Sequence, residues 1–318
     1  MKIVFCGTPS FAVPTLEALI AAGHEIALAV SQPDRPVGRG RQISVPPVKQ
    51  AALAAGLEVI QPEKLRNHAG FQAQLKAIDP EAIVVVAYGR ILPPWMLALP
   101  RYGCINLHGS LLPRYRGAAP IQWAVAMGDA ITGNTTMLLE EGLDTGPILL
   151  QQTIEIAPEH TAVEMFEVLA HAGAPLMVET LKGLGDGSIR PRTQNDSFAT
   201  FAPLLDREDG RMEFATRTAT ELHNRWRGFQ PWPGAFTALG GKKLIVHRMA
   251  LATEPASTAS NLFEPGRICV ENHRLYVACA ANTWLELVEV QLEGKKRLTA
   301  AEFLRGAGIG AGHAAQLG

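Results

Sequence analysis

Strand-like and helix-like segments alternate regularly along the first half of this 318-residue chain. The segment 82–87, Ala-Ile-Val-Val-Val-Ala, is continuously apolar, as in a central parallel strand that helices cover on both faces. The pattern predicts further strands at residues 2–6, 26–30 and 59–60, and helices at residues 11–22, 48–55 and 71–78. This alternation predicts an α/β fold with a doubly wound, mostly parallel sheet. Because such sheets bind ligands beyond the carboxyl ends of their strands, we expect the site in the loops after residues 87 and 107.

The pattern changes after residue 183. A segment rich in Gly, Pro and Asn follows, and beyond residue 205 one helix candidate precedes several short strands separated by Gly and Pro turns. Short strands in this spacing are typical of a small barrel or sandwich. We therefore predict a first domain over residues 1–189, a linker over 190–205, and a second domain over 206–318.

Charge and composition narrow the possible functions. The 29 Lys and Arg residues against 30 Asp and Glu give a net charge of −1, which argues against a protein that coats nucleic acid. No apolar run approaches the roughly 20 residues of a membrane helix. The four cysteines form no C-x-x-C pair, and the nine histidines form no H-E-x-x-H motif. We expect a reduced, soluble, cytoplasmic monomer with no metal and no membrane association.

Asn106 and His108 are candidates for chemistry. Ile105 and Leu107 alternate with them at strand spacing, so both polar side chains point to one face near the strand's carboxyl end. An amide N–H can stabilise a developing oxyanion, and an imidazole can move a proton. A satisfied polar pair at a strand end is the alternative, but the Pro- and Gly-rich loop that follows favours a ligand site.

Asp144 lies in a Gly-flanked turn between two apolar runs, where an Asp most often bonds its own backbone. In combination, however, Asn106-x-His108, Ser110-Leu-Leu-Pro113 and Asp144-x-Gly146-x-Ile148 resemble the folate-dependent formyltransferase family. The longer runs 31–36, 38–41, 110–121 and 228–236 resemble the members of that family that formylate initiator methionyl-tRNA.

The resemblance implies transfer of a formyl group from 10-formyltetrahydrofolate to a primary amine. Asn106 would donate to the formyl oxygen, His108 would assist the same oxygen or the leaving nitrogen, and Asp144 would orient the histidine and take up the amine proton through a water. The resemblance implies a formyl-folate pocket formed by Tyr88, Gly89, Ile91, Leu92, Ser110, Leu111, Leu112, Pro113 and Leu139.

The segment 34–49 has four basic residues and one acid, a local charge of +3, and is longer than the usual strand-to-helix connection of about 2–6 residues. On its own this pattern is typical of a solvated loop. The resemblance implies instead that it contacts the acceptor end of tRNA, and that the second domain is a barrel of the oligonucleotide-binding (OB) type. The candidate tRNA-binding residues are Arg35, Arg39, Arg41, Lys49, Arg225, Lys242 and Lys243.

Three alternatives differ in testable ways. A formyltransferase acting on a UDP-linked 4-amino sugar would not need the run Gly38-Arg39-Gly40-Arg41. A glycinamide ribonucleotide formyltransferase resembles the first domain alone. A non-catalytic tRNA- or folate-binding module would not need Asn106, His108 and Asp144 together.

Overall fold

A computed structural model describes residues 1–37, 42–256, 263–307 and 316–318. The contacts divide the chain into two compact units that are not contiguous in sequence. Unit 1 contains Met1–Ile121, Ile131–Ile156 and Glu164–Pro203, and unit 2 contains Gln122–Ala130, Ala157–Val163 and Leu204–Gly318. Within the described ranges, no helix has the length and apolar character needed to span a bilayer.

Unit 1 is built on a seven-stranded sheet. Unit 1 has nine described strands, of which β3 and β4 form a separate hairpin. In chain order they are β1 (Lys2–Gly7), β2 (Glu25–Val30), β3 (Arg35–Val37), β4 (Gln42–Ser44), β5 (Val59–Ile60), β6 (Ala82–Val86), β7 (Cys104–His108), β8 (Ile131–Leu138) and β9 (Ile148–Glu155). The sheet order is β5-β2-β1-β6-β7-β8-β9. Pairing is parallel from β5 to β7 and antiparallel from β7 to β9. The mostly parallel α/β sheet predicted from the sequence is confirmed, with two antiparallel strands added at one edge.

The helices are α1 (Val13–Ala21), α2 (Pro47–Ala54), α3 (Ala69–Ile78), α4 (Pro94–Leu97), α5 (Pro120–Ala126), α6 (Ala162–Asp186), α7 (Ala219–Gly228) and α8 (Ala300–Ala307). Glycines follow the ends of α1 and α2. Gly23 and Gly56 have φ values of +79° and +74°, in the left-handed region that glycine adopts without steric cost. The β6 strand is buried at all five positions, as its continuous apolar sequence predicts.

The segment 34–49 is not a simple loop. It contains the antiparallel hairpin of β3 and β4 and the first turn of α2, which includes Lys49. The hairpin was not predicted, because three-residue strands leave too few positions for an alternating pattern. Gly38, Arg39, Gly40 and Arg41 lie outside the described residues.

Unit 2 contains an antiparallel sheet. Its strands are β10 (Ala235–Leu239), β11 (Lys242–Ala252), β12 (Ile268–Glu271), β13 (Arg274–Cys279), β14 (Thr283–Leu292) and β15 (Leu298–Thr299). The order is β10-β11-β14-β13-β12, with β15 paired to β14. Over the described part of the chain, β10 and β12 do not pair with each other to close the sheet, so the expected barrel is observed only as an antiparallel sheet. Near the carboxyl terminus, Leu317 bridges Leu239 in β10, and Gln316 bridges Arg267, immediately before β12.

The expected linker of residues 190–205 is ordered against unit 1 for most of its length. Residues up to Pro203 belong to that unit by their contacts. Backbone hydrogen bonds fix them, as between the N–H of Ala202 and the carbonyl of Arg116 at 2.8 Å. The local sequence, rich in turn formers, could not show these partners because they lie about 80 residues away.

Candidate active site

The β7 strand presents the first two candidate residues at the carboxyl edge of the parallel strands. Its register pairs His108 with Thr135 of β8 and Asn106 with Met137. Because successive strand side chains point to opposite faces, Asn106 and His108 share one face, as their spacing predicts. The His108 side chain is buried, whereas Asn106 is half-buried.

Both ring nitrogens of His108 face protein oxygens. Nε2 lies 2.9 Å from the carbonyl oxygen of Tyr115, and Nδ1 lies 3.8 Å from Oδ2 of Asp144. Since a carbonyl oxygen can only accept, Nε2 carries a proton. A second proton on Nδ1 would give an imidazolium whose charge faces the carboxylate. The structure therefore brings His108 and Asp144 together, 36 residues apart in sequence, at a separation slightly longer than a hydrogen bond.

Asp144 is held in an unusual backbone conformation. Its φ is +52°, in the left-handed region that residues other than glycine adopt rarely. Its Oδ2 accepts a hydrogen bond of 2.8 Å from the backbone N–H of Gly117. No described residue donates to its other carboxylate oxygen.

Asn106 has an unengaged amide. Its side chain makes no hydrogen bond to any residue within the described ranges, and it lies next to His108 on the same face. A half-buried amide without a partner can donate to a ligand oxygen without first breaking an internal bond. Asn106, His108 and Asp144 together thus place a donor, an imidazole and a carboxylate at one end of the sheet.

The loop after β6 contains four of the candidate folate residues. The Tyr88 side chain lies in the core of unit 1, where burial raises the pKa of its hydroxyl, so only its backbone can contact a ligand. Its carbonyl already accepts hydrogen bonds from Thr8 and Gln32. Gly89 has a φ of +79°. Ile91 is 86% exposed, whereas Leu92 is buried.

The loop after β7 contains four more of the candidate folate residues. Ser110 is fully buried, and its hydroxyl donates to the carbonyl of Arg114 at 2.6 Å, so its side chain shapes the loop. Leu112 is buried beside Met137 and Ile148. Leu111 and Pro113 are half-buried. Leu139, after β8, is half-buried against the core of unit 1.

The candidate tRNA residues of unit 1 differ in their surroundings. Lys49 donates to Asp34 and to Gln61, both at 2.7 Å. The hydrogen bond from Lys49, followed by that from Gln61, holds the pKa of Asp34 below its ordinary value. Arg35 forms an exposed ion pair with Glu63 at 3.2 Å. The positions of Arg39 and Arg41 are among those that the structure does not describe.

In unit 2, Arg225 is engaged internally. It donates to the carbonyl of Asp209 at 2.9 Å, lies 4.8 Å from the ring centre of Phe229, and has its pKa lowered by burial. The Nζ of Lys243 lies 3.6 Å from the ring centre of Phe236. The pKa of Lys243 is lowered, chiefly by burial. Lys242 is exposed.

Sequence reasoning did not find Gln194 or Arg116 as site residues. Gln194 donates to the carbonyls of Asp144 and Gly146, and Arg116 donates to Gln194. Both polar side chains are almost fully buried. No local pattern marks Gln194, because its partners lie about 50 residues earlier in the chain. Over the described residues, no group of three or more His, Cys, Asp or Glu side chains could hold a metal ion.

The similarity of the chain to known proteins extends over both units. A family model described as formyl transferase matches residues 1–181, and one described as formyl transferase, C-terminal domain, matches residues 204–308. A methionyl-tRNA formyltransferase from Acidobacterium capsulatum is 63% identical over 306 residues, covering 96% of each chain. The protein of the same name from Koribacter versatilis is 53% identical over the same length and coverage.

Solved structures share the fold at low identity. An N-formyltransferase from Helicobacter canadensis, in complex with folinic acid and dTDP-3-aminofucose, has a TM-score of 0.65 at 16% identity, covering 90% of this chain and 98% of that one. HypX from Aquifex aeolicus, in complex with tetrahydrofolic acid, has a TM-score of 0.61 at 14% identity, covering 98% of this chain and 48% of that one. With both family models matched in order and a relative at 63% identity, the chain belongs to the formyl transferase family.

Proposed function

We propose that this protein transfers the formyl group of 10-formyltetrahydrofolate to the free amino group of initiator methionyl-tRNA, for translation initiation in the cytoplasm. The observation that carries the proposal is the identity of 63% and 53% to proteins named methionyl-tRNA formyltransferase, over 96% of the chain. The convergence of Asn106, His108 and Asp144 at one end of the sheet supports it independently, because formyl transfer needs an oxyanion donor and a proton acceptor.

The three side chains divide the chemistry between them. Asn106 donates to the formyl oxygen as that oxygen gains negative charge during attack by the amine. His108, as an imidazolium or as a hydrogen-bond donor, assists the same oxygen or the leaving nitrogen, and its Nε2 lies 2.9 Å from the Tyr115 carbonyl oxygen. Asp144 orients His108 and takes up the amine proton through a water. The bond between the formyl carbon and the folate nitrogen then breaks, and that nitrogen takes up a proton as tetrahydrofolate leaves.

The loops at this edge fit a folate. Ile91 and Leu143 are 86% and 62% exposed, so they offer apolar surface that a planar ring would cover. Gly89, Leu111, Pro113 and Leu139 line the same loops, and we assign Tyr88, Ser110, Leu112 and Leu92 to shaping them rather than to side-chain contact. The co-substrate supplies the activated formyl group, and no metal is part of this proposal.

For tRNA binding, we assign the acceptor-end contacts to Arg35, Arg39 and Arg41. Lys49 supports the base of the hairpin, because its ammonium group is already bonded to Asp34. In unit 2, Lys242 and Lys243 are the candidates for phosphate contact. Arg225 packs internally on Phe229, so we assign it a structural role.

We further propose that the second domain is an OB-like barrel and begins near residue 204. Two observations support this. The matched C-terminal family model starts at residue 204, where the contacts of unit 1 end. The bridges of Leu317 to Leu239 and of Gln316 to Arg267 connect the two ends of the antiparallel sheet. The protein acts as a monomer in this proposal.

The decisive experiment offers the purified protein formyl-folate with either initiator methionyl-tRNA or a UDP-linked 4-amino sugar. We expect formyl-methionyl-tRNA as the product and no formylated sugar. Formylation of the sugar with no reaction on the tRNA would contradict the proposal, and binding of both substrates without product would indicate a non-catalytic module.

A further inference from the structure

Residues 194–202, here called the strap, lie beside the candidate active site. Their backbone pairs with the loop that follows β7. The N–H of Arg116 donates to the carbonyl of Thr200, and the N–H of Ala202 donates to the carbonyl of Arg116, both at 2.8 Å. The Thr200 hydroxyl accepts from the N–H of Tyr115 at 2.8 Å. The strap therefore fixes the residue whose carbonyl contacts His108.

Gln194, at the start of the strap, uses its whole amide group. Its Nε2 donates to the carbonyls of Asp144 and Gly146, each at 2.8 Å. Its Oε1 accepts from two nitrogens of Arg116, Nε at 3.1 Å and Nη2 at 2.8 Å. The Arg116 side chain, only 5% exposed, also donates to Asp196 at 2.7 Å. The orientation of the Gln194 amide is therefore fixed by partners on both sides.

This arrangement acts on the conformation of Asp144. A left-handed backbone at a residue other than glycine is energetically unfavourable and persists only where surrounding contacts enforce it. Gln194 binds the carbonyls of Asp144 and Gly146, the residues on either side of Thr145. It therefore holds the turn in which Asp144 has its φ of +52°. The N–H of Gly117, which follows the strap-bound Arg116, then meets the Asp144 carboxylate.

We propose that Gln194 is a positioning residue for formyl transfer, which fixes the Asp144 turn so that its carboxylate faces His108. Arg116 in turn orients the Gln194 amide. This inference rests on the proposed function for its kinetic test. It makes the segment between the two matched family regions, residues 182–203, part of the catalytic unit.

The test compares Gln194→Glu with Asn195→Asp. Glutamate keeps the oxygen that Arg116 binds but loses the N–H donors to Asp144 and Gly146. Asn195→Asp adds the same charge one residue away at an exposed site, and it keeps the oxygen that accepts from the N–H of Ser197. We expect kcat to fall about 10–100-fold in Gln194→Glu, with KM for both substrates within about threefold. Asn195→Asp should match the wild type.

A substrate-free readout separates this inference from the proposed function. The ¹⁵N signals of His108, assigned by their loss in a His108→Gln variant, should shift in Gln194→Glu and stay in place in Asn195→Asp. Unchanged His108 signals with unchanged kcat would overturn the positioning role. So would a kcat loss matched by equal losses in folate binding and thermal stability. A wild-type protein that formylates no tRNA, with shifted His108 signals in the variant, would instead contradict only the proposed reaction.

Discussion

Asp144 serves two purposes with one carboxylate. Its Oδ2 accepts from the backbone N–H of Gly117 and lies 3.8 Å from Nδ1 of His108, so the side chain holds a loop and faces the histidine at the same time. An asparagine in place of Asp144 could still accept the hydrogen bond from Gly117 through its amide oxygen. It would carry no negative charge to face His108.

We therefore expect Asp144→Asn to lower kcat by about 10²–10⁴-fold, the usual contribution of a general acid–base group. Binding of formyl-folate, measured by fluorescence titration, should stay close to that of the wild type. Turnover close to the wild-type rate would show that Asp144 does not act in proton transfer.

Gly146 is required because there is no room for a larger side chain, not because of its backbone conformation. A Cβ at this position would lie 1.9 Å from the carbonyl oxygen of Leu138, which belongs to the backbone and cannot rotate away. We expect Gly146→Ala to reduce the free energy of unfolding in urea by about 1–3 kcal/mol, as overpacking does. Gly70→Ala is the matched control, because its Cβ would meet only ordinary contacts at 3.7 Å within α3. Equal stability of the two variants would contradict the close approach.

The sequence predicts the shared face of Asn106 and His108, because a period of two follows from strand geometry alone. It also marks Asp144, but only through the family resemblance. Gln194 was missed because a polar residue in a turn-rich segment gives no sign that distant carbonyls will bury it. Local pattern thus predicts which side chains share a strand face, whereas contacts across 50 residues depend on the tertiary fold.

Among the elements, the β3–β4 hairpin has a polar base. Lys49 on α2 and Gln61 after β5 both bond to Asp34, immediately before β3. Because these bonds lower the folded-state pKa of Asp34 below its unfolded value, their stabilisation is fully present above a pH of about 4 and is lost as the pH falls through the folded-state pKa.

We expect Lys49→Met to lower Tm at pH 7, and the difference from the wild type to shrink as the pH is lowered toward 3. Arg35→Met is the control, because the Arg35–Glu63 pair is 62% and 70% exposed and such pairs contribute little. A difference in Tm that stays constant from pH 7 to pH 3 would show that the Asp34 pair is not its source.

In the sequence, Arg39 and Arg41 lie between β3 and β4, outside the described residues. We expect their joint replacement by alanine to raise KM for tRNA, and to reduce the slope of log affinity against log salt concentration by about 1–2, since each lost phosphate contact removes slightly less than one unit. KM for formyl-folate should not change. An unaltered salt dependence would place the tRNA contacts elsewhere.

Element types were predicted better than element ends. The strand predicted at residues 82–87 ends at Val86, and the helix predicted at 11–22 begins as a short 3-10 turn at Ser10 and continues as α1. The helices α4, α5 and α8 were missed, because four, seven and eight residues give too few turns for a clear periodic pattern. The second sheet was predicted as a set of short strands, but its order depends on pairings that no single strand specifies.

Over the whole molecule, all four cysteines are buried, two in each unit. Burial raises the pKa of Cys104 and of Cys279 to about 12. The thiols of Cys104 and Cys279 should therefore remain protonated at pH 8, and we expect these two to react with a disulfide reagent at least about 10³-fold more slowly than a free thiol of pKa near 8.5. All four should react in denaturant. A thiol that reacts rapidly in the native protein would show that its unit opens readily.

Unit 2 also depends on residues far from its main segment. The ring of Trp123 lies 5.4 Å from that of Phe229, and Arg227 donates to the carbonyl of His160 at 2.8 Å. A Cβ on Gly228 would lie 2.5 Å from the backbone nitrogen of Ala126. A protein divided at residue 204 would therefore separate the second sheet and α7 from residues that pack against them in the same unit.

The strap sets an order of events during synthesis. Fifty residues separate Asp144 from Gln194, so a ribosome adding about 5–20 residues per second needs roughly 3–10 s between them. During that interval the nascent chain contains Asn106, His108 and Asp144 without the Gln194 amide that binds the turn at Asp144. A chain that stops in that interval would therefore keep the turn around Asp144 but lack the side chain that binds the carbonyls of Asp144 and Gly146.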